Sequence, residues 1–363
     1  MTPRESLDAM GWNARFDAAF EPHRVAGRIP ARVVAEGRGA FLVHDGSGSR
    51  SAAVSGRLRY DSNGDALAYP AVGDWVAVTL GADDGTGTIH ALLARQSAIV
   101  RRAPVDHANS VQVIAANVDV AFIVTSLNGE LNLRRLERYL AVAWESGALP
   151  VVVLSKADLD DDVAGHAVAA ESVAPGVQVI ATSAVTGEGI DAVRAHLAPG
   201  RTVVFFGSSG VGKSTLVNTL AGEELLTTSG IREDDARGRH TTTRRQLVPL
   251  AEGLVIDTPG LRELALLDGD GLASAFSDVE AVAARCRFSD CGHESEPGCA
   301  VRLALGAGDL DADRFEAYRK LEKEAHRAEL ANDAIARKAE RRKWSAMVKG
   351  VEQRMDQKYG TER

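Results

Sequence analysis

Residues 207–214 read Gly207-Ser208-Ser209-Gly210-Val211-Gly212-Lys213-Ser214, and this stretch decides the fold class. It matches the phosphate-binding pattern G-x-x-x-x-G-K-[ST], with Thr215 next in the chain. The apolar run before it (202–206) predicts a buried strand, and residues 215–221 predict a helix. Glycines let the backbone wrap around phosphates, which N–H groups and the helix N-terminus then bind. We therefore predict that Lys213 binds the β- and γ-phosphates and that Ser214 binds Mg²⁺.

A second motif, Asp257-Thr258-Pro259-Gly260, follows the loop at the end of another predicted strand. A carboxylate at this place suits the Mg²⁺ shell, and the Gly260 N–H would face the γ-phosphate. The sequence thus predicts a nucleoside triphosphate site with a magnesium ion.

Base recognition is predicted from two segments that come before the loop. Ser155-Lys156-Ala157-Asp158 ends one predicted strand, and Thr182-Ser183-Ala184 ends the next. The Asp158 carboxylate can accept hydrogen bonds from the N1–H and the amine of guanine, which adenine does not offer together. The residue before the lysine is ordinarily Asn. With Ser155 there, the amide that braces the phosphate loop is lost, and we expect weaker guanine binding.

These motifs occur in a permuted order. An ordinary G domain begins with the phosphate loop and ends with base recognition, whereas here the base-recognition segments come first. Strands are predicted at 118–125, 150–155, 177–182, 202–206, 245–250 and 254–257, with helices at 131–146 and 190–197. Six strands complete an α/β sheet. We therefore predict a circularly permuted P-loop G domain, with the new joint at 198–200.

The first switch must lie between the loop and Asp257. Residues 232–239 are charged and contain glycine, and His240, Thr241, Thr242 and Thr243 follow. We expect one of the threonines to complete the Mg²⁺ and γ-phosphate shell; an ordinary polar loop is the alternative. The position after Gly260, often a water-positioning Gln, is Leu261. His240 is the best substitute, so we expect slow basal turnover and a stimulating partner.

All three cysteines lie within 14 residues, as Cys286-x₄-Cys291-x-His293-x₅-Cys299. Three thiolates and an imidazole are the ligands of a closed, structural zinc site. Unligated buried cysteines are the alternative. An odd number of clustered cysteines also indicates a reducing cytoplasm and no disulfide framework.

The N-terminal part predicts a small β-barrel. Five short strands are expected at 28–34, 39–44, 50–55, 75–80 and 87–93, separated by turns. An oligonucleotide-binding (OB) barrel is the first candidate. Its arginines favour RNA contact; a barrel without a nucleic-acid role is the alternative. The arginines are Arg24, Arg28, Arg32, Arg38, Arg50, Arg57 and Arg59.

Length and composition agree with several domains in a soluble protein. The chain has 363 residues, is 45% hydrophobic and carries a net charge of −8, although residues 314–363 are basic. We expect no membrane span and no export signal. The predicted domains are an N-terminal extension (1–22), an OB-type barrel (23–105), the permuted GTPase domain (106–268) and a zinc-binding helical domain (269–363).

This combination of barrel, permuted motifs and cysteine cluster resembles the bacterial ribosome small subunit-dependent GTPase family, over about residues 23–345. The resemblance implies GTP and GDP as ligands, one bound zinc and hydrolysis stimulated by the small (30S) ribosomal subunit. It implies late maturation of that subunit, contact with its 16S rRNA, and release after hydrolysis. It also favours His240 as the water-positioning residue. We expect a cytoplasmic monomer, and another assembly factor remains a possible partner.

Three other functions stay open from the sequence. A P-loop enzyme acting on a small molecule would turn over without regard to ribosomes. A non-enzymatic RNA-binding module would use the nucleotide as a structural ligand and tolerate loss of His240. A GTPase of large-subunit assembly would be disfavoured by the barrel and the cysteine cluster.

Overall fold

The computed structural model describes residues 2–37, 39–62, 65–81, 85–102, 111–129, 131–226, 245–258, 266 and 269–328. Three parts follow one another along the chain: a barrel preceded by two helices, an α/β domain, and a helical domain that contains the cysteines. No helix within these ranges is both long and apolar enough to cross a bilayer.

Five strands close the predicted barrel, with bounds within about two residues of the predicted ones. They are β1 (Ile29–Glu36), β2 (Phe41–His44), β3 (Ser49–Val54), β4 (Trp75–Thr79) and β5 (Gly87–Leu92). Their order is β1-β2-β3-β5-β4, and β4 pairs with β1 to complete the circle. Only β3 and β5 run parallel. The alternating residues of these strands fill the interior, as expected for a barrel too small to hold a ligand. The OB-type barrel is confirmed.

Two helices that the sequence analysis missed precede the barrel, α1 (Pro3–Ala9) and α2 (Ala14–Val25). Asn13 caps α2, and Phe16 and Phe20, four residues apart, are fully buried on one face. The aromatic rings of this face pack around Trp75 of β4. The predicted limit between 22 and 23 falls inside α2, which belongs with the barrel wall.

The α/β domain has the six-stranded sheet that the motifs predict. Its strands are β8 (Val120–Ser126), β9 (Leu149–Ser155), β10 (Val179–Thr182), β11 (Thr202–Phe206), β12 (Gln246–Leu250) and β13 (Gly253–Asp257). Their order is β10-β9-β8-β11-β13-β12, and all neighbours run parallel except β12 and β13. The helices are α4 (Leu133–Ser146), α5 (Val163–Val173), α6 (Ile190–Arg194) and α7 (Lys213–Ala221).

A hairpin of β6 (Ala98–Arg102) and β7 (Val111–Ala116) joins the barrel to this domain and was also missed. It spans the predicted limit between 105 and 106. A short helix, α3 (Gly56–Asp61), lies on the barrel between β3 and β4.

The last part contains α8 (Asp270–Ala275), α9 (Ser277–Ala283), the cysteine segment and α10 (Ala300–Ala307). A further helix, α11, covers 312–328, inside the C-terminal domain that the sequence analysis predicts to be helical.

Arg32 connects the barrel part to the α/β domain through hydrogen bonds. Its guanidinium is fully buried and donates to the Gly73 carbonyl at 3.1 Å, to Thr202 Oγ1 at 2.9 Å, and to the Met10 carbonyl. Burial lowers the pKa of Arg32 to about 10, against the raising effect of Asp119 and Asp74. A buried cation is tolerated when polar groups surround it. The barrel, the N-terminal helices and β11 thus share one buried hydrogen-bonding centre.

Candidate functional site: a nucleotide pocket and a cysteine cluster

The phosphate loop lies at the centre of the sheet, between the end of β11 and the start of α7. Gly207 has φ +142°, and a side chain there would overlap the Val124 carbonyl of β8. Only glycine therefore lets the loop leave the strand at this point. Lys213 Nζ donates to the loop's own carbonyls, at 2.8 Å to Gly207 and 2.7 Å to Ser208. The lysine ammonium therefore lies against the loop that is predicted to bind the phosphates.

The predicted magnesium residues lie on the elements that flank this loop. Ser214 is in the first turn of α7, and Asp257 is the last residue of β13, which pairs in parallel with β11. Carboxyl ends of neighbouring parallel strands meet at one sheet edge, so Asp257 ends beside the loop. A hydroxyl and a carboxylate are the oxygen donors that Mg²⁺ prefers. These residues therefore fit the ion that the sequence predicts.

Ser155 corrects one expectation from the sequence. Its hydroxyl donates to the Val211 carbonyl of the phosphate loop at 2.6 Å. The sequence analysis expected the hydrogen bond that supports the phosphate loop to be lost without an Asn side chain. The shorter serine makes such a bond, because β9 ends close to the loop. Ser155 itself is buried, which shields this bond from water.

Asp158 is held by the second base-recognition segment, as the motif pair predicts. It follows Lys156, whose backbone is left-handed at φ +60°, and lies in the short helical turn Ala157–Leu159. The fully buried Ser183 donates its hydroxyl to Asp158 Oδ1 at 2.5 Å. Ala184 follows directly. A carboxylate fixed in this way presents a preset acceptor to a base.

Arg135 is a site residue that sequence reasoning missed. It lies in the first turn of α4 and donates from Nη1 to Ser208 Oγ of the phosphate loop at 2.8 Å. The two residues are 73 positions apart, and no motif links them.

The structure brings the phosphate loop, the guanine motif and Asp257 to one edge of the sheet. Gly260 and the predicted switch residues lie outside the described residues. The switch residues are His240, Thr241, Thr242 and Thr243. Their roles stay predictions.

Cys286, Cys291, His293 and Cys299 form the predicted cluster, with all four ligand atoms within 4.8 Å of one another. His293 Nδ1 lies 3.6 Å from Cys286 Sγ and 3.5 Å from Cys299 Sγ, and these two sulfurs are 3.9 Å apart. A tetrahedral zinc site with Zn–S of about 2.3 Å and Zn–N of about 2.0 Å requires sulfur pairs near ~3.8 Å and sulfur–nitrogen pairs near ~3.5 Å. The donor set fits zinc in type, and the three distances among Cys286, His293 and Cys299 match the tetrahedral spacing.

The cysteine segment is held in shape by a carboxylate that is not a ligand. Glu296 accepts hydrogen bonds from the backbone N–H groups of Gly292, Glu294 and Ser295, each at 2.9 Å. Backbone hydrogen bonds lower the pKa of Glu296 below its ordinary value. Arg319 of α11 donates to the Gly292 carbonyl at 3.0 Å, which attaches the segment to the helix.

Comparison with known proteins adds sequence relatives and structural neighbours. The family model of RsgA GTPases matches residues 92–267. A "Small ribosomal subunit biogenesis GTPase RsgA" of Syntrophotalea carbinolica is 45% identical over 93% of this chain and 94% of its own. "Small ribosomal subunit biogenesis GTPase RsgA 2" of Lactiplantibacillus plantarum is 48% identical over 82% and 84%.

Among solved structures, YjeQ of Thermotoga maritima superposes with a TM-score of 0.61 at 28% identity, over 82% of this chain and 98% of that one. YloQ, described as a circularly permuted GTPase, superposes with a TM-score of 0.56 at 23% identity, over 82% and 95%. The second likeness shows the fold alone.

Proposed function

This chain belongs to the RsgA GTPase family, and from that premise we propose that it hydrolyses GTP in the late maturation of the small (30S) ribosomal subunit. The observation that carries the proposal is the assembly of the phosphate loop and the guanine motif at one sheet edge. Ser155 joins these two motifs through its bond to Val211. The small ribosomal subunit enters the proposal from the names of the relatives.

Binding of GTP rests on residues that the fold already positions. The loop N–H groups and Lys213 bind the phosphates, and Asp158 accepts from guanine. Ser214 and Asp257 would hold the Mg²⁺, which neutralises charge on the phosphates. Because Lys213 now donates to the Gly207 and Ser208 carbonyls, nucleotide binding must redirect its ammonium group toward the phosphates.

Hydrolysis needs a group that orients the attacking water. Leu261 cannot do this, and we assign the role to His240, with one of Thr241, Thr242 and Thr243 completing the Mg²⁺ shell. A water held by a single imidazole leaves the basal rate low. The small subunit would raise it by holding His240 against the attacking water.

Contact with 16S rRNA is supported by the surface of the barrel. Helix α3 presents Tyr60, 71% exposed, beside the exposed Arg57 and Arg59. An exposed aromatic ring among arginines suits stacking on bases and pairing with phosphates. The basic residues beyond 314 would add phosphate contacts that carry no sequence preference.

The cysteine cluster would bind one structural zinc ion, which stabilises the C-terminal domain. We further propose that the protein is a cytoplasmic monomer that leaves the subunit after hydrolysis. Another assembly factor on the subunit would be a second partner.

The test is GTP hydrolysis by the pure protein alone, with small subunits, and with large subunits. We expect slow basal turnover that small subunits alone raise strongly, by up to about 10⁵-fold. His240→Ala should bind GTP normally and lose most of the stimulated rate. His23→Ala, which replaces a histidine of α2 on the barrel side, should keep the stimulated rate.

Turnover that neither subunit changes would exclude the ribosomal role. Stimulation by large subunits alone would assign the protein to the other particle. Full stimulated activity of His240→Ala would remove His240 from the mechanism while leaving the GTPase assignment intact.

A further inference from the structure

Helix α4 contacts the phosphate loop at its first turn and the C-terminal domain at its last. Arg135 Nη1 donates to Ser208 Oγ at 2.8 Å. Glu145 Oε1 accepts from the backbone N–H of Gly269, the residue that precedes α8, also at 2.8 Å. The helix has 14 residues and is therefore about 20 Å long. One rigid element thus spans from the nucleotide pocket to the start of the C-terminal domain.

Between these ends, charged side chains attach α4 to the C-terminal helices. Arg138 makes a two-pronged pair with Glu324 of α11, at 2.7 and 2.8 Å. Glu137, with no exposed surface, accepts from Arg314 of α11 at 2.9 Å. Arg314 in turn pairs with Asp278 of α9 at 2.6 Å. The Glu137–Arg314 pair is buried and therefore holds one geometry, because its separation would leave a charge away from water.

The backbones of α4 and α8 are also in direct contact. A side chain at Gly271 would overlap the Ala141 carbonyl of α4. Two helices this close cannot shift against each other without repacking. A displacement of α4 must therefore move α8, α9 and α11 with it or break these contacts.

The loop end of α4 touches a residue whose surroundings change when nucleotide binds. Lys213 donates to the Ser208 carbonyl at 2.7 Å, and a phosphate bound by the loop would draw that ammonium away. Arg135 holds the hydroxyl of the same residue. Arg135 is exposed to solvent, so its bond to Ser208 can form or break without loss of buried packing.

We propose that Arg135 is a positioning residue for the phosphate loop, and that α4 transmits occupancy of the loop to the C-terminal domain. The proposal requires GTP or GDP binding but not the ribosomal role. It gives the permuted chain a coupling route that bypasses the switch. Coupling of this type is reciprocal, so fixing the C-terminal helices must also change nucleotide affinity.

The experiment uses the full chain without ribosomes. Affinities for GDP and for a non-hydrolysable GTP analogue are measured for wild type, Arg135→Ala, Ser208→Ala and the double variant. We expect each single variant to bind about fivefold more weakly, as for loss of one ordinary hydrogen bond at an exposed site. The double variant should be no weaker than either single one, because the two changes remove the same bond.

Hydrogen exchange of residues 312–328, with and without nucleotide, gives the second readout. Nucleotide should slow exchange there in wild type, and Arg135→Ala at saturating nucleotide should lose that effect. Arg194→Ala is the matched control, since this arginine pairs with Asp191 on α6, away from α4. It should retain both affinity and the exchange change.

Two results would overturn the proposal. One is wild-type affinity together with an unchanged exchange response in Arg135→Ala. The other is a wild-type protein that binds nucleotide with no exchange change in 312–328. Neither result bears on stimulation by small subunits, which is measured separately.

Discussion

At the scale of single residues, the nucleotide site depends on short side chains that support the residues expected to touch the ligand. Ser155 holds the phosphate loop through Val211, and Ser183 holds Asp158. Both serines are buried, so their hydrogen bonds do not compete with water. The base-recognition carboxylate is therefore fixed before a base arrives.

Replacing Asp158 by Asn tests its assignment to guanine. An amide cannot accept from both guanine donors, and its own N–H₂ would face the exocyclic amine. Xanthine has an oxygen at that position and can accept from the amide. We expect Asp158→Asn to bind GTP at least about 100-fold more weakly, since buried polar groups are left unpaired, and to prefer XTP.

Competition binding with GTP, XTP and ATP measures this change. Asp160 lies two residues further on and contacts His166 and the backbone N–H of Asp162, so Asp160→Asn serves as the control. Unchanged GTP preference in Asp158→Asn would show that the base is read elsewhere.

At the scale of elements, the contact between α4 and α11 contains a buried ion pair between Glu137 and Arg314. Burial raises the pKa of Glu137 above its ordinary value, although Arg134 and Arg314 act in the opposite direction. Arg314 also lies with its guanidinium over the ring of Phe276, at 4.7 Å from the centroid. The packing of the C-terminal helices therefore rests on keeping Arg314 in place.

We expect Arg314→Ala to lower the free energy of unfolding of this region by about 3 kcal/mol at pH 7, because Glu137 loses a buried partner. The loss raises the Glu137 pKa further. A carboxyl whose folded pKa exceeds its unfolded value is destabilising above the unfolded pKa. The effect of the substitution should therefore shrink as the pH falls toward 5 and Glu137 takes up a proton.

Urea unfolding followed by circular dichroism at pH 7 and pH 5 gives both values. Arg57→Ala breaks an exposed pair with Asp61 and should cost less than about 1 kcal/mol at either pH. An Arg314→Ala cost as small as that of the control would mean that the charged cluster does not stabilise the contact.

At the scale of the whole molecule, stability comes from different sources in different parts. The barrel and the α/β domain each bury a large apolar core. The cysteine segment between α9 and α10 has little apolar core of its own. Its shape depends on Glu296, Arg319 and the side chains of the cysteine cluster. A metal ion bound by the four side chains of this cluster would hold such a segment.

Removing zinc should therefore act on one part only. We expect one zinc per chain, and we expect strong chelation or Cys291→Ser to release it and loosen the segment around 286–299. Binding free energies of structural zinc are on the order of 10 kcal/mol, which the segment alone cannot replace. Guanine nucleotide binding should persist, because the phosphate loop is built on the sheet.

Metal analysis, limited proteolysis and GDP binding before and after chelation measure these effects. Ser295→Ala, a change in the same segment outside the ligand set, should keep its zinc. A protein that holds no zinc when purified under reducing conditions would refute the metal assignment.

The sequence by itself determined the fold class, the permuted order of the motifs and the members of the cysteine cluster, because each is encoded in a local pattern. Apolar runs bounded by turns predicted the strands of the barrel and of the six-stranded sheet to within about two residues, as at Thr202–Phe206, but they missed the hairpin of β6 and β7. Local patterns failed for α1 and α2, whose burial depends on Trp75 of a strand far along the chain.

Tertiary structure alone decided which side chains support the site. Ser155 reaches Val211 across 56 positions, and Arg135 reaches Ser208 across 73. A hydroxyl or guanidinium has no preference for a distant partner until parallel strands and a packed helix bring the two within hydrogen-bonding distance. Such contacts require distances set to within a few tenths of an ångström, and periodicity and motif spacing give no information about distances between remote residues.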